Sequence, residues 1–200
     1  ENVFAVLKNK DYLNTILEKL EAVQNVVVIG GGFIGVEFAE QMHMLGKKVT
    51  LVEMADACLW QAFDKNFSQD IEGRMKEAGI DVRTSTKVSR ILGDKTVSGV
   101  EFEGGETVPA EMVILGLGVK PNAELAKKAG LELNSRGAIV VDQYTRTNDP
   151  DIFAVGDCAE KKCFFTGKEK LLCLRLHARA VHPGKSLFRG SGKNVAPGAQ

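Results

Sequence analysis

The chain has 200 residues, 44% of them hydrophobic and 26% charged, which suits one large soluble domain or one and a half smaller ones. Lys plus Arg equal Asp plus Glu at 26 each, so net charge gives no argument for nucleic acid or an anionic membrane as partner. No apolar run approaches the roughly 18 residues of a membrane span, and the opening ENVFAVLKNKDY lacks the basic head and apolar core of a secretory signal, so a cytoplasmic protein is expected.

Tyr12, Ile16 and Leu20, with Leu13 and Leu17 beside them, predict an amphipathic helix over 10–22. NVVVIGGG is a short β-branched run ending in glycines, the pattern of a buried parallel strand. Ile34, Phe38, Met42 and Leu45 follow at helical spacing, and Gly46 stands where that helix should stop. KVTLVE is the next strand. Asp64 can cap a second helix whose expected buried stripe is Phe67, Ile71, Met75 and Ala78, with Gly79 as its stop. IDV adds a third short strand, which makes the segment β-α-β-α-β and its sheet parallel.

Between 86 and 110 the pattern changes to short half-polar runs, TKVSRIL, TVSGVEFE and ETVPA, separated by Gly93-Asp94 and Gly104-Gly105. These predict an antiparallel three-stranded meander over one face of the sheet. MVILGLG returns as a buried strand, 119–122 is a turn, and a short helix runs from Ala123 to Ala129. GAIVVD and DIFAVGD are expected as two more strands, and the tail GSGKNVAPGAQ has the composition of a disordered end. No CxxC or Cys/His metal spacing exists. Cys158 and Cys163 are five apart, in a chain where a functional disulfide is not expected.

The informative motif is VVVIGGGFIGVEFAE. Gly30, Gly32 and Gly35 form G-x-G-x-x-G after a strand and at the opening of a helix. Gly30 permits the tight turn, Gly32 removes a Cβ from the path of a pyrophosphate, and Gly35 lets helix and strand pack closely. The helix N-terminus offers free backbone N–H groups and a positive dipole to phosphates. Glu53 ends the next strand about 20 residues on, where a carboxylate can accept both hydroxyls of an adenosine ribose. It would repel a 2′-phosphate, and EMADA supplies no Arg or Lys to neutralise one, so NADH is expected over NADPH.

DIFAVGDCAE holds a second acid, Asp157, after a glycine turn at Gly156, far from that cradle. Three stretches together, VVVIGGGFIGVEFAE, VILGLGVKPN and TNDPDIFAVGDCAE, resemble the FAD-dependent pyridine nucleotide–disulfide oxidoreductases. Within that family the likeness is to the branch of NADH oxidase, NADH peroxidase and coenzyme A-disulfide reductase. It extends from about residue 2 to residue 165.

The resemblance implies a Rossmann-like NADH domain over 24–120, after an N-terminal helix and connection over 1–23. A returning half of an FAD domain would follow over 121–165, and 166–200 is divergent. It implies that Asp157 holds the flavin's ribityl chain and that Gly156 lets the backbone approach it. Phe33 would cover the flavin ring until nicotinamide displaces it, with helix-start packing as the other reading. Glu37 matches a carboxylate near the nicotinamide, with a solvated helix acid as the other reading. Ile34 belongs to the same cradle, and Gly118 would pass close to the nicotinamide end. Hydride would pass from NADH to flavin and on to a disulfide, peroxide or oxygen.

The ADP-binding half of the FAD site and the redox cysteine of that half have no counterpart here, since no second G-x-G-x-x-G precedes residue 24. These 200 residues alone are therefore expected to bind NADH without turnover, with FAD belonging to the complete enzyme. Unpaired strands in GAIVVD and DIFAVGD lead us to expect self-association. Pro183 would break the family's flavin-facing helix, and His177 and His182 beside it are read as surface or packing residues. His43 is read as a solvated helix residue.

Overall fold

Three consecutive valines, Val26, Val27 and Val28, are each at most 1% exposed, so the strand that carries them is covered on both faces. The structure, a computed structural model, describes residues 1–7 and 9–161. Its elements run β1 (Val3–Ala5), α1 (Lys10–Glu21), β2 (Asn25–Ile29), α2 (Phe33–Met44), β3 (Lys48–Val52), α3 (Lys65–Ala78) and β4 (Asp81–Arg83). They continue with β5 (Val88–Leu92), β6 (Gly99–Phe102), β7 (Thr107–Pro109), β8 (Met112–Leu115) and α4 (Glu124–Lys128). The chain divides into two compact units, Glu1–Val119 and a second beginning at Lys120.

In the first unit five parallel strands lie in the order β1-β8-β2-β3-β4, and β5-β6-β7 form a separate antiparallel sheet. Side chains alternate across the parallel sheet as strand geometry requires. Val26, Val28, Leu51, Met112 and Ile114 face a core that includes Ile16, Leu20, Ala39, Met42, Ile71 and Met75 from the three helices. Val27, Val52 and Val113 face the other way, onto Val100, Phe102, Val108 and Ala110 of the meander region. Each fully buried Val, Leu or Ile in these layers stabilises by roughly 1.5–3 kcal/mol. Arg83 ties the edge strand β4 to the meander, pairing with Glu106 at 2.6 Å and lying 5.4 Å from the Phe102 ring centroid.

The expected cap and stop of α3 act as read, and α1 carries a cap the sequence reading does not name. The Asn9 side chain accepts from Tyr12 N at 3.0 Å, and the Asp64 side chain accepts from Phe67 N at 3.0 Å. Gly79 ends α3 in the left-handed region at φ +104°.

Several expectations need correction. Strand β1 gives no signal in the sequence: only Phe4 of its three residues is buried, too few to show a period. It pairs parallel with β8, Phe4 opposite Ile114, so 1–23 contributes a strand as well as a helix to the first unit. On α2 the most buried stripe is Gly35, Ala39 and Met42, and Leu45 is exposed. On α3, Ser68 and Glu72 join Ile71 and Met75 in the core, whereas Phe67 and Ala78 are exposed. His43 is half-buried, its Nδ1 without a hydrogen-bond partner.

In the second unit α4 forms as expected, and Ala123, Ala126, Leu131, Ile139, Ala154 and Ala159 make a small core. GAIVVD and DIFAVGD do not form strands. Only single bridges occur, Leu133 with Ile139, Ile139 with Ala159, and Arg146 with Phe153. A ladder needs a neighbour along its whole length, and no such neighbour pairs these runs among the described residues. Phe153 and Val155 are accordingly 60% and 68% exposed. The expected disordered tail, Cys163, Cys173, His177, His182 and Pro183 lie outside the described residues. No helix among the described residues is long and apolar enough to cross a membrane.

Glu111, just before β8, fastens the start of β2. Its Oε2 accepts from Gln24 N at 2.8 Å, Asn25 N at 2.8 Å and Asn25 Nδ2 at 3.1 Å. The backbone N–H groups of Asn25 and Gln24 hold its carboxyl below the usual value of 4.5. A carboxyl lowered in the folded state adds stability above the unfolded value and loses it as pH falls through the folded one. Because the group is exposed, solvent screens the effect. Urea unfolding at neutral and acidic pH should show Glu111→Gln less stable than the parent at pH 7, with the gap closing on acidification.

Candidate dinucleotide-binding site

The site is built where β2, β3 and β8 end side by side. One residue past β2, Gly30 N donates to Val52 O at 2.8 Å, and Gly116 N donates to Ile29 O at 2.8 Å. The three chains thus leave the sheet together, and the glycine loop Gly30-Gly31-Gly32 runs over their ends into α2. Gly30 has φ +108°. A Cβ there would lie 2.7 Å from Gly116 O, and one on Gly35 would lie 1.7 Å from Gly30 O. A Cβ on Gly116 would lie 2.9 Å from Gly35 Cα. Strand end, helix start and neighbouring strand therefore meet backbone to backbone, and no side chain fits between them.

Gly32 is different. Its φ of −74° suits any residue, and a Cβ there would meet nothing within 4 Å. Packing within the chain makes no demand for glycine at this position. Gly32 is also the N-cap of α2, so no side chain satisfies the helix's first amides, and no acidic residue stands in the first turn. An uncapped helix start with open space before it suits a phosphate group.

Glu53 stands beside this opening, half-buried. Its Oε2 accepts from Gly31 N at 2.6 Å and its Oε1 from Ala55 N at 2.7 Å. Thr86 N donates to Glu53 O at 3.0 Å and Ser85 N to Ala55 O at 2.7 Å, so the segment after β4 braces the segment after β3. One bond per carboxylate oxygen leaves lone pairs on both for ribose hydroxyls.

Below the loop lies Cys58, fully buried, with Sγ 2.8 Å from where a Gly31 Cβ would stand. Burial pushes its thiol up to about 12, and the negative charges of Glu72 and Glu53 add to the effect. It is a protonated packing residue at neutral pH, unfit as a nucleophile. Leu59 N donates to Gly31 O at 2.8 Å from a left-handed backbone at φ +58°, a conformation that costs a residue with Cβ about 1–2 kcal/mol.

The other expected residues divide between the units. Phe33 opens α2 and packs edge-on against Phe63, ring centroids 5.8 Å apart. Ile34 is half-buried and Glu37 exposed on the same helix. Gly118 lies past the end of β8 at φ +93°, exposed, with nothing within 4 Å of a Cβ position. Gly156 and Asp157 belong to the second unit. Gly156 has φ +87°, and the loop after it is pinned to Ile139 by Ile139 N to Cys158 O at 2.8 Å and Glu160 N to Ile139 O at 2.7 Å. Asp157 Oδ1 lies 3.1 Å from Lys161 Nζ. Gly31, Gly116 and Leu59 join the site beyond the residues expected. The triple glycine and the LGLG strand end signal the first two in the sequence, and nothing signals Leu59.

A parallel sheet with a glycine loop, an open helix start and a carboxylate just past the next strand defines a dinucleotide-binding α/β protein. The chain belongs to the pyridine nucleotide–disulphide oxidoreductase family, whose pattern matches residues 1–180. It is 35% identical over 198 residues to an NADH oxidase of Methanocaldococcus jannaschii, covering 98% of this chain and 42% of that one. It is 35% identical over 174 residues to a CoA-dependent NAD(P)H sulfur oxidoreductase of Pyrococcus abyssi, covering 87% and 37%. The chain thus spans less than half the length of these curated relatives. Among solved structures, an NAD-dependent persulfide reductase from A. fulgidus superposes with TM-score 0.78 at 40% identity, over 85% of this chain and 31% of that one. A water-forming NADH oxidase from Lactobacillus brevis bound to NADH superposes with TM-score 0.75 at 26% identity, over 86% and 38%.

The two kinds of glycine should respond differently to a methyl group. Gly35→Ala forces backbone apart and should destabilise by roughly 1–3 kcal/mol or more, read by urea unfolding. Gly32→Ala should leave the unfolding midpoint near the parent value.

Proposed function

We propose that this chain is the NADH-binding portion of a flavin-dependent oxidoreductase. The observation that carries the reading is the Glu53 carboxylate, bonded to Gly31 N beside the uncapped start of α2. The pyrophosphate of NADH would lie over Gly30–Gly32, taking first-turn amides of α2 as donors. The ribose hydroxyls would donate to Glu53, whose negative charge disfavours the 2′-phosphate of NADPH. Phe33, Ile34, Glu37 and Gly118 would line the nicotinamide end. Relatives named NADH oxidase, and a solved relative bound to NADH, support this choice of nucleotide.

FAD, when bound, would supply the hydride acceptor and the onward path of electrons to oxygen, peroxide or a disulfide. Asp157, presented by the turn at Gly156, would accept hydrogen bonds from its ribityl hydroxyls.

A second reading, an NADH-binding module without turnover, is favoured by the single glycine-rich cradle among the described residues. The two readings differ in flavin. A protein that takes up added FAD in stoichiometric amount, turns yellow and bleaches with NADH supports catalysis by these 200 residues; a colourless protein supports the module.

The NADH site is tested at Glu53. Glu53→Ala should weaken NADH binding by about 1.5–3 kcal/mol, the value of hydrogen bonds to a charged group. Calorimetric titration that finds unchanged affinity would remove the ribose role.

A further inference from the structure

Among the described residues, Glu72 is the charged side chain hidden in the core, only 7% exposed. It lies on α3 beside Ile71 and Met75, where an apolar residue would cost less. Its Oε1 accepts from Cys58 N at 2.7 Å, reaching 14 residues back in the chain rather than serving its own helix. The next residue, Leu59, holds its left-handed conformation while its N–H donates to Gly31 O at 2.8 Å. Cys58 Sγ fills the space beneath Gly31. Gly31 is thus clamped on both sides, its N–H by Glu53 and its C=O by the turn that Glu72 fastens.

We propose that Glu72 is a positioning residue for the nucleotide cradle: its carboxylate fixes the Cys58–Leu59 turn, which holds the Gly31 carbonyl and so sets the Gly31–Gly32 peptide for the incoming pyrophosphate. The role rests on the reading of this loop as the NADH cradle. An apolar side chain at 72 would fill the volume and leave Cys58 N–H without its acceptor, freeing a strained turn to relax away from the loop.

The test uses the full chain with Glu72→Ala, Glu72→Gln and Glu72→Met, and Ile71→Val as a core substitution on the same helix that leaves the acceptor of Cys58 N in place. Without nucleotide, amide hydrogen exchange at Cys58 and Leu59 should accelerate in Glu72→Ala, while amides of β6 stay protected. With NADH, Glu72→Ala should bind about tenfold more weakly. Glu72→Gln should keep parent affinity, because its side-chain oxygen still accepts. Ile71→Val should lower Tm and leave NADH affinity unchanged. Should the alanine variant fail to fold, Glu72→Met carries the same expectations. Parent-like affinity in Glu72→Ala or Glu72→Met, or an equal loss in Ile71→Val, would overturn the proposal. If the parent itself does not bind NADH, the nucleotide reading fails on its own, and unchanged exchange at Leu59 in the alanine or methionine variant separately refutes the positioning role.

Discussion

Three backbones meet without side chains between them where Gly30, Gly35 and Gly116 pack, and the rest of the first unit is arranged around that contact. A Cβ on Gly35 would come within 1.7 Å of Gly30 O, and one on Gly30 within 2.7 Å of Gly116 O. Helix α2 can therefore start directly over the ends of β2 and β8. This approach brings its first turn beside Glu53, the residue that follows β3. The same closeness explains why Gly35 and Ala39, residues with almost no side chain, form the deepest part of the helix face. A bulkier stripe would lift the helix and carry its amides away from the carboxylate.

The glycines of the loop answer to different demands. Gly30 and Gly35 are required by the fold, since atoms of the chain occupy the space a side chain would need. Gly31 is required by the site, because a Cβ there would meet Glu53 Cβ and Cys58 Sγ, each at 2.8 Å. Gly32 has open space before it, so the reason for its glycine is sought in a ligand. A motif that reads as one pattern in sequence separates into three physical roles once the neighbours are known.

What was legible in the sequence follows from how local each signal is. The cap Asp64 and the stop Gly79 act within one helical turn, and the consecutive valines of β2 declare burial on both faces. The G-x-G-x-x-G spacing and an acid about 20 residues on are visible because they reflect one strand–helix–strand unit, β2-α2-β3. Strand β1 is too short to show a pattern, and the small residues on α2 give little hydrophobic signal. Ser68 and Glu72 broke the apolar stripe of α3 by being polar and buried, which a pattern of hydrophobicity assigns to solvent. GAIVVD and DIFAVGD had strand composition, yet strands exist through partners, and composition does not supply one. Gly116, Leu59 and Glu72 act on the loop from other parts of the chain, so nothing near the motif announced them.

These distant groups change how the carboxylate of Glu53 is understood. An exposed glutamate meeting a ribose must give up side-chain freedom when the ligand arrives, which weakens binding. Here both oxygens are already bonded to backbone, at 2.6 and 2.7 Å, and the Gly31 that donates one of these bonds is itself held by Leu59. Folding has therefore ordered the acid in advance, and in the proposed NADH complex ligand hydroxyls would meet lone pairs on an already fixed carboxylate. The strain at Leu59 and the buried charge at Glu72 are costs borne in the folded chain. The return for them is a loop whose peptide planes do not have to be arranged at the moment of binding.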